Sequence, residues 1–285
     1  HFGSDDTDWQ NDLFLFLAQG VTTVREMWGQ PRYLRWRDAI AAGIALGPRL
    51  YVCSPGMDGA GGHYASVTPP ITTPQQARYM VAYYRQLGYD FVKVYSDLTL
   101  EVYQAMMEEA RAQGIRVVGH VPRPVGLANV LAAGQYSIEH LSNYPEQAFS
   151  NGSLYSGVLD EARLRAVAAA IREAGAWVSP TLAVGLVQRS QVPALRERPE
   201  MRYVSAAFKR WFDHPLQHFA PERDLTPFEA NSKAVLKVLE DSGVKLLLGV
   251  DSGFRYLVPG FSIHDELRLR VEAGLSPYQV LRMGT

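Results

Sequence analysis

The sequence predicts an α/β fold built as a (β/α)8 TIM-type barrel, and three observations carry that expectation. Seven short runs rich in β-branched and apolar residues alternate with helical patterns along the chain. The run VKLLLGVDSG, residues 244–253, is nearly continuous in apolar side chains, as a strand covered on both faces of a parallel sheet requires. Two of the runs, 115–119 and 136–139, are each followed by a histidine, His120 and His140. An open doubly wound sheet is the competing architecture, but no Gly-x-Gly-x-x-Gly follows an early strand as a dinucleotide fold would demand.

Taken in order, residues 8–18 form a helical pattern that stops at Gly20, and VTTVRE after it is a strand. A helix over 32–42 ends before Gly47-Pro48, and RLYVC is the next strand. The glycine-rich loop SPGMDGAGGHYAS leads to Thr73-Pro74, a helix start that carries through Leu87. Strand DFVKVY and a helix over 99–113 follow, then the unit 115–141, which is strand, helix (126–133) and strand. Residues 160–174 are helical and AWVSPTL is a strand. Between 182 and 229 five prolines break the pattern, which predicts an elaborated loop over one face. A helix over 231–242 precedes the apolar strand 244–253, and helices over 262–272 and from Ser276 close the chain.

The chain opens on His1 without an initiator methionine and closes inside a helical pattern, so a barrel domain over residues 1–285 is expected to be truncated at both ends. His1 would then be the last residue of a first strand that is largely missing. With 47% hydrophobic residues and no apolar run near the ~20 that span a bilayer, no membrane partner is expected. A net charge of -1 gives no electrostatic reason to expect nucleic acid. The single cysteine, Cys53, excludes an internal disulfide and a cysteine-type metal site, and leaves the compartment open. Oligomeric state is equally open, with a homo-oligomer possible.

Barrel active sites lie at the C-terminal ends of the strands. Here those ends carry His1, Glu26, His63, Lys93, His120, His140, Thr181 and Asp251. Glu26, His63 and Thr181, each taken alone, read as solvated loop residues, and His120 or His140 alone as a core histidine. The two histidines are different as a pair, because neighbouring parallel strands lie roughly 4.8 Å apart and imidazoles at matched ends can converge on one ion. Alternation from Phe91 places Lys93 on the barrel interior, where an ammonium needs a counter-charge or a chemical modification.

Along the chain, LFLAQGVTTVREM, GPRL, GGH, FVKVYSDLT, RVVGHVP, SIEHL, LLLGVDSG and HDELRLRVEAGLSPYQVLR together resemble the imidazolonepropionase-like and prolidase-like branch of the metal-dependent amidohydrolase superfamily. The resemblance covers nearly the whole chain and rests on the ordered spacing of the pieces. It implies that His1 corresponds to the second histidine of a strand-one His-x-His, and that Lys93, His120, His140 and Asp251 occupy the remaining metal positions. The first histidine of that pair would lie before residue 1, and the small β-sandwich that such proteins build from both chain ends has no counterpart.

The resemblance further implies a divalent-metal hydrolase, with two Zn2+ ions bridged by a carboxylated Lys93. His1 would help hold one ion, and His120 and His140 the other. Water bound to zinc falls from a pKa of 15.7 to about 7, so hydroxide becomes available at neutral pH to attack an amide. Asp251 would move the proton from the nucleophile to the leaving nitrogen. His63 could polarise the scissile carbonyl, while Tyr95 and Arg123 are candidates for binding a substrate carboxylate; His264 reads as a helix cap. A prolidase-like dipeptidase acting on a small-molecule or dipeptide substrate is the leading expectation. The alternatives are a cyclic-amide hydrolase or deaminase, and a non-catalytic barrel that acts as a binding module.

Overall fold

A computed structural model of the protein describes residues 9–62, 68–189, 192–214 and 226–285. His1 and His63 therefore lie outside the described residues. Seven strands alternate with helices in the expected order: α1 (Trp9–Ala18), β1 (Thr23–Glu26), α2 (Pro31–Ala41), β2 (Arg49–Val52), α3 (Pro74–Leu87), β3 (Phe91–Val94), α4 (Leu100–Ala112) and β4 (Arg116–Gly119). Then come α5 (Gly126–Ala133), β5 (Ser137–Glu139), α6 (Glu161–Ala174), β6 (Trp177–Ser179), α7 (Leu182–Arg189), α8 (Val192–Arg196), α9 (Ala206–Phe212), α10 (Thr226–Asp241), β7 (Lys245–Leu246), α11 (Ser262–Glu272) and α12 (Pro277–Arg282).

The strands pair in parallel, β1 with β2 and then β3 through β7 in sequence order, and parallel bridges from Cys53 to Phe91 and from Met57 to Val94 join the two groups. That succession is an α/β barrel wall, as the alternation predicts. Among the described residues no strand stands between β7 and β1. A cavity of about 490 Å³ opens there, lined by Val24 and Arg25 on one side and Leu246 through Asp251 on the other.

Local chemistry sets the element ends. The Thr73 hydroxyl accepts from the Gln76 amide while the Gln76 side chain returns to the Thr73 amide, with Pro74 at the first helical position, so α3 starts where the Thr-Pro pair says it should. Its buried stripe of Ala77, Val81 and Tyr84 belongs to the hydrophobic core. At the starts of α4 and α6 the Thr99 and Asp160 side chains accept from the Val102 and Arg163 amides. In β4, Gly119 has φ 135° and lies so close to β3 that a Cβ there would come within 2.1 Å of the Val94 carbonyl oxygen. That contact brings the His120 backbone against β3, where its amide donates to the same carbonyl at 2.9 Å.

Two expectations are corrected. The stretch 182–229, expected as an elaborated loop, is largely helical in its described residues: α7, α8, a 3-10 turn over Pro199–Tyr203, α9 and the first turn of α10. Prolines sit in the first turns of three of these elements, where a missing amide costs nothing, so they mark helix starts. The strands are also shorter than the apolar runs. β6 stops before Pro180, which has no amide to give the ladder, and β7 covers two residues because the Leu248 amide turns to the Met283 carbonyl at 2.9 Å.

Candidate active site

The C-terminal ends of the strands surround a cavity of about 560 Å³, within the range of small-molecule sites. Lys93, Tyr95, His120, Arg123, His140, Thr181 and Asp251 all line it. Lys93, His140, Thr181 and Asp251 also line the cavity between β1 and β7, so they form the boundary between mouth and barrel interior.

Strand geometry positions these side chains. Lys93 is the third residue of β3, paired with Val118, and its inward side chain is only 2% exposed. Its ammonium lies 5.0 Å from the centre of the Tyr95 ring. Burial holds Lys93 below its ordinary value, and the Glu139 and Asp251 carboxylates oppose that shift. Glu139 is itself matched by Arg25, 2.8 Å away, and by the Ser137 hydroxyl at 2.6 Å.

His120 and His140 follow β4 and β5 directly. Their ring centres are 5.0 Å apart and their planes cross at 79°. Two imidazoles bound at about 2.0–2.1 Å to one tetrahedral ion would have ring centres roughly 5 Å apart, so the pair fits a shared ion. Ser96 lies 2.8 Å from Nδ1 of His120, and Thr181 lies 2.7 Å from Nδ1 of His140. With Nδ1 engaged by a hydroxyl in each ring, Nε2 is the nitrogen directed to ligation. Burial, followed by the neighbouring Lys93 and His140, pushes His120 well below the ordinary imidazole value, so it is neutral, as a metal ligand must be.

Backbone strain gathers at the same place. His140, Thr181 and Asp251 have φ of 66°, 50° and 64°, a region that non-glycine residues seldom occupy and that clusters at functional sites. Among the described residues, no three of His, Cys, Asp and Glu form a metal-holding group. The two imidazoles could hold part of a metal's shell, and Lys93 and Asp251 are described side chains that line the same cavity.

The remaining candidates separate. Arg123 reaches the cavity already paired with Asp97, and the Asp97 amide donates to Asp58 at 2.8 Å, so a carboxylate would meet a guanidinium that has a partner. Tyr95 packs edge-on against His120 with ring centres 4.9 Å apart. Glu26 is buried and accepts from the Trp28 amide at 2.7 Å; it does not line the cavity. His264 sits in the first turn of α11 and meets the Gln19 side chain at 2.9 Å, away from the mouth. The sequence reading missed Ser96, Asp58 and Asp97. Ser96 had a signal, since it directly follows the strand that carries Lys93.

A sequence profile described as "Amidohydrolase family" matches residues 15–285. No curated protein matches the sequence closely. Among solved structures, a bottromycin amidohydrolase superposes with a TM-score of 0.73 at 25% identity, over 96% of this chain and 65% of its own. A Xaa-Pro dipeptidase solved with bound methionine gives 0.66 at 18% identity, over 96% and 64%. An ochratoxinase from A. niger gives 0.64 at 17%, over 97% and 61%. At the latter identities the likeness is one of fold. The chain spans less than two thirds of the length of each of these structures.

Proposed function

The chain belongs to the amidohydrolase family, and from that premise we propose that it is a metal-dependent hydrolase cleaving an amide C–N bond, acting as a prolidase-like dipeptidase. The observation that carries this reading is the placement of Lys93, His120, His140 and Asp251 around one cavity, with the two imidazoles at the spacing of a shared ion. Members of the family generally use a divalent metal.

In the proposed arrangement His120 and His140 hold one ion through Nε2, and His1 belongs to a second. Lys93 would be carboxylated: its ammonium gives up one proton, the neutral Nζ bonds to the carbon of CO2 and loses a second proton to solvent, and the carbamate would serve as an anionic donor in place of a buried cation. Two Zn2+ ions, if held by these residues, would supply Lewis acidity at the amide carbonyl and make hydroxide available from water at neutral pH. Asp251, whose carboxylate faces Lys93 and His120, takes the proton released by the attacking water and delivers it to the departing nitrogen. His63 polarises the scissile carbonyl, and Tyr95 and Arg123 receive the carboxylate of the substrate. Ser96 and Thr181 keep both imidazoles in the tautomer that ligation needs.

A second reading is a centre with one ion that opens a cyclic amide or deaminates a ring. It needs only the paired imidazoles of His120 and His140 with Asp251 on the same cavity, and no bridge from Lys93. Metal analysis of the purified protein, run beside a dipeptide panel, tests both. Two ions per chain with dipeptide hydrolysis are expected, and His140→Ala should abolish activity and lower the metal content. Full activity and full metal in His140→Ala would overturn the proposal.

A further inference from the structure

Around the cavity mouth, charged and apolar side chains take opposite arcs. Asp58, Asp97 and Arg123 follow β2, β3 and β4, whereas Tyr155, Leu182, Val184 and Phe254 come from the segments after β5, β6 and β7, and Phe228 comes from α10. The two histidines stand between the arcs, after β4 and β5.

The apolar arc is centred on a pair of rings. Tyr155 and Phe228 stack with centroids 4.7 Å apart and planes inclined by 20°. Both rings are half-buried. The Phe228 ring lies across α7 at Gly185, where a Cβ would come within 2.4 Å of Cε1 and 3.0 Å of Cδ1. Any larger residue at 185 would therefore displace the ring. On the other side, the Asn231 side-chain amide donates to the carbonyls of Leu154 at 2.9 Å and Gly157 at 3.1 Å, binding the loop that carries Tyr155 to the helix that carries Phe228. The stack is thus fixed by a steric slot and by two hydrogen bonds. It still leaves aromatic surface facing a cavity whose opposite wall is charged.

We infer that the Tyr155–Phe228 wall is the specificity subsite of the enzyme, taking a large apolar and preferentially aromatic side chain of the amide substrate while the Asp97–Arg123 arc faces its polar end. A flat ring on a flat ring gains offset stacking beyond the area it buries, which an alanine side chain cannot reproduce. This inference rests on the proposed hydrolase reading for the identity of the substrate, and on the cavity alone for the chemistry of the subsite.

The test is the ratio of kcat/KM for phenylalanine over alanine in two matched dipeptide series, one varied at each position, using the metal-loaded protein. In one series the ratio should be roughly ten-fold to a hundred-fold, the discrimination that a single apolar pocket can supply. Phe228→Ala should bring it near one. Gly185→Ala should do the same with the ring still in the chain, and Phe228→Tyr should preserve it. Phe228→Leu replaces the alanine variant if that chain does not fold, and should also lower the ratio. A wild-type ratio near one in both series, or a ratio unmoved by Phe228→Ala and Gly185→Ala, would overturn the inference. Should no dipeptide be cleaved, the hydrolase reading fails separately, and calorimetric binding of N-acetyl-L-phenylalanine against N-acetylglycine then decides. Tighter binding of the aromatic probe that is lost in Phe228→Ala supports the subsite, and equal binding refutes it.

Discussion

Thr181 holds the ring of His140 by an Oγ1 to Nδ1 contact of 2.7 Å, although the two residues belong to different strand ends and both have positive φ. Two strained backbones thus meet through one hydrogen bond, and the bond selects which imidazole nitrogen faces the cavity. Thr181→Val keeps the shape and the β-branch but removes the acceptor. It should weaken metal binding by about 10–100-fold, the usual effect of deleting such an outer partner, while Thr181→Ser restores it. Competition against a chelator measures the change, and an unaltered affinity would reduce Thr181 to a packing residue.

Lys93 decides between one ion and two. Its side chain is 2% exposed on the barrel interior, with Glu139 and Asp251 as the carboxylates that act on it. Both Lys93→Ala and Lys93→Arg should lose an ion and most of the activity if a carbamate bridges, because arginine keeps the charge without forming a comparable bridge. Short carboxylic acids added to Lys93→Ala should then restore part of the turnover. If Lys93 instead binds substrate as an ammonium, Lys93→Arg keeps its metal and the loss falls on KM. Metal stoichiometry in the two variants separates these outcomes.

How much of this was legible in the sequence depends on which force set each feature. The Thr73-Pro74 cap and the apolar alternation through Lys93 are local signals, and they place α3 and β3 within a residue or two. Strand-end position likewise brought Lys93, His120, His140 and Asp251 to one cavity, because a parallel barrel puts all such ends on one face. The helices between 182 and 214 were hidden because prolines that begin short helices look the same as prolines that break long ones. Asp97's capture of Arg123 spans 26 residues and joins two separate strand ends, so no local pattern announces it. The aromatic wall was invisible for the same reason: Tyr155, Gly185 and Phe228 meet only in three dimensions. His1 and His63 lie outside the described residues, and their roles stay with the proposal.

Asp58 gives a pH signature unconnected with metal. Burial raises its carboxyl above the ordinary value, even though its Oδ1 accepts from the Gly59 amide at 3.0 Å and the Asp97 amide at 2.8 Å. From about pH 4 upward the unfolded chain has released this proton while the folded chain still holds it, so the folded state binds more protons in that window. The Asp58 contribution is therefore fully present below the unfolded value and is lost as pH rises through the folded one. Asp58→Asn keeps an oxygen acceptor for both amides and removes the titration. Its urea midpoint should gain on the wild type as pH increases from 4 to 7, and parallel midpoints across that range would contradict the assignment.

The last prediction concerns how the apolar arc is anchored. Arg270 and Glu266 are both fully buried on α11, paired through Nε and Oε1 at 2.8 Å. The second oxygen of Glu266 accepts from the Ala183 amide at 2.8 Å, at the start of α7, and Arg270 donates to the Leu247 carbonyl at 2.9 Å. One ion pair thus ties α11 to the end of β7 and to the helix whose Gly185 seats Phe228. Removing the cation alone leaves a carboxylate in a dry site, so Arg270→Met should cost about 3–5 kcal/mol in chemical denaturation. Arg270→Met combined with Glu266→Gln should be markedly less destabilised, since glutamine still accepts from Ala183 and carries no charge that needs a partner. Were the double variant as unstable as the sum of the singles, the cost would lie in lost packing of the arginine stem and not in the orphaned charge. Glu266→Ala removes the acceptor that fixes the start of α7. Beyond its loss of stability, it should lower discrimination between phenylalanine and alanine substrates, because the slot under Phe228 moves with the helix.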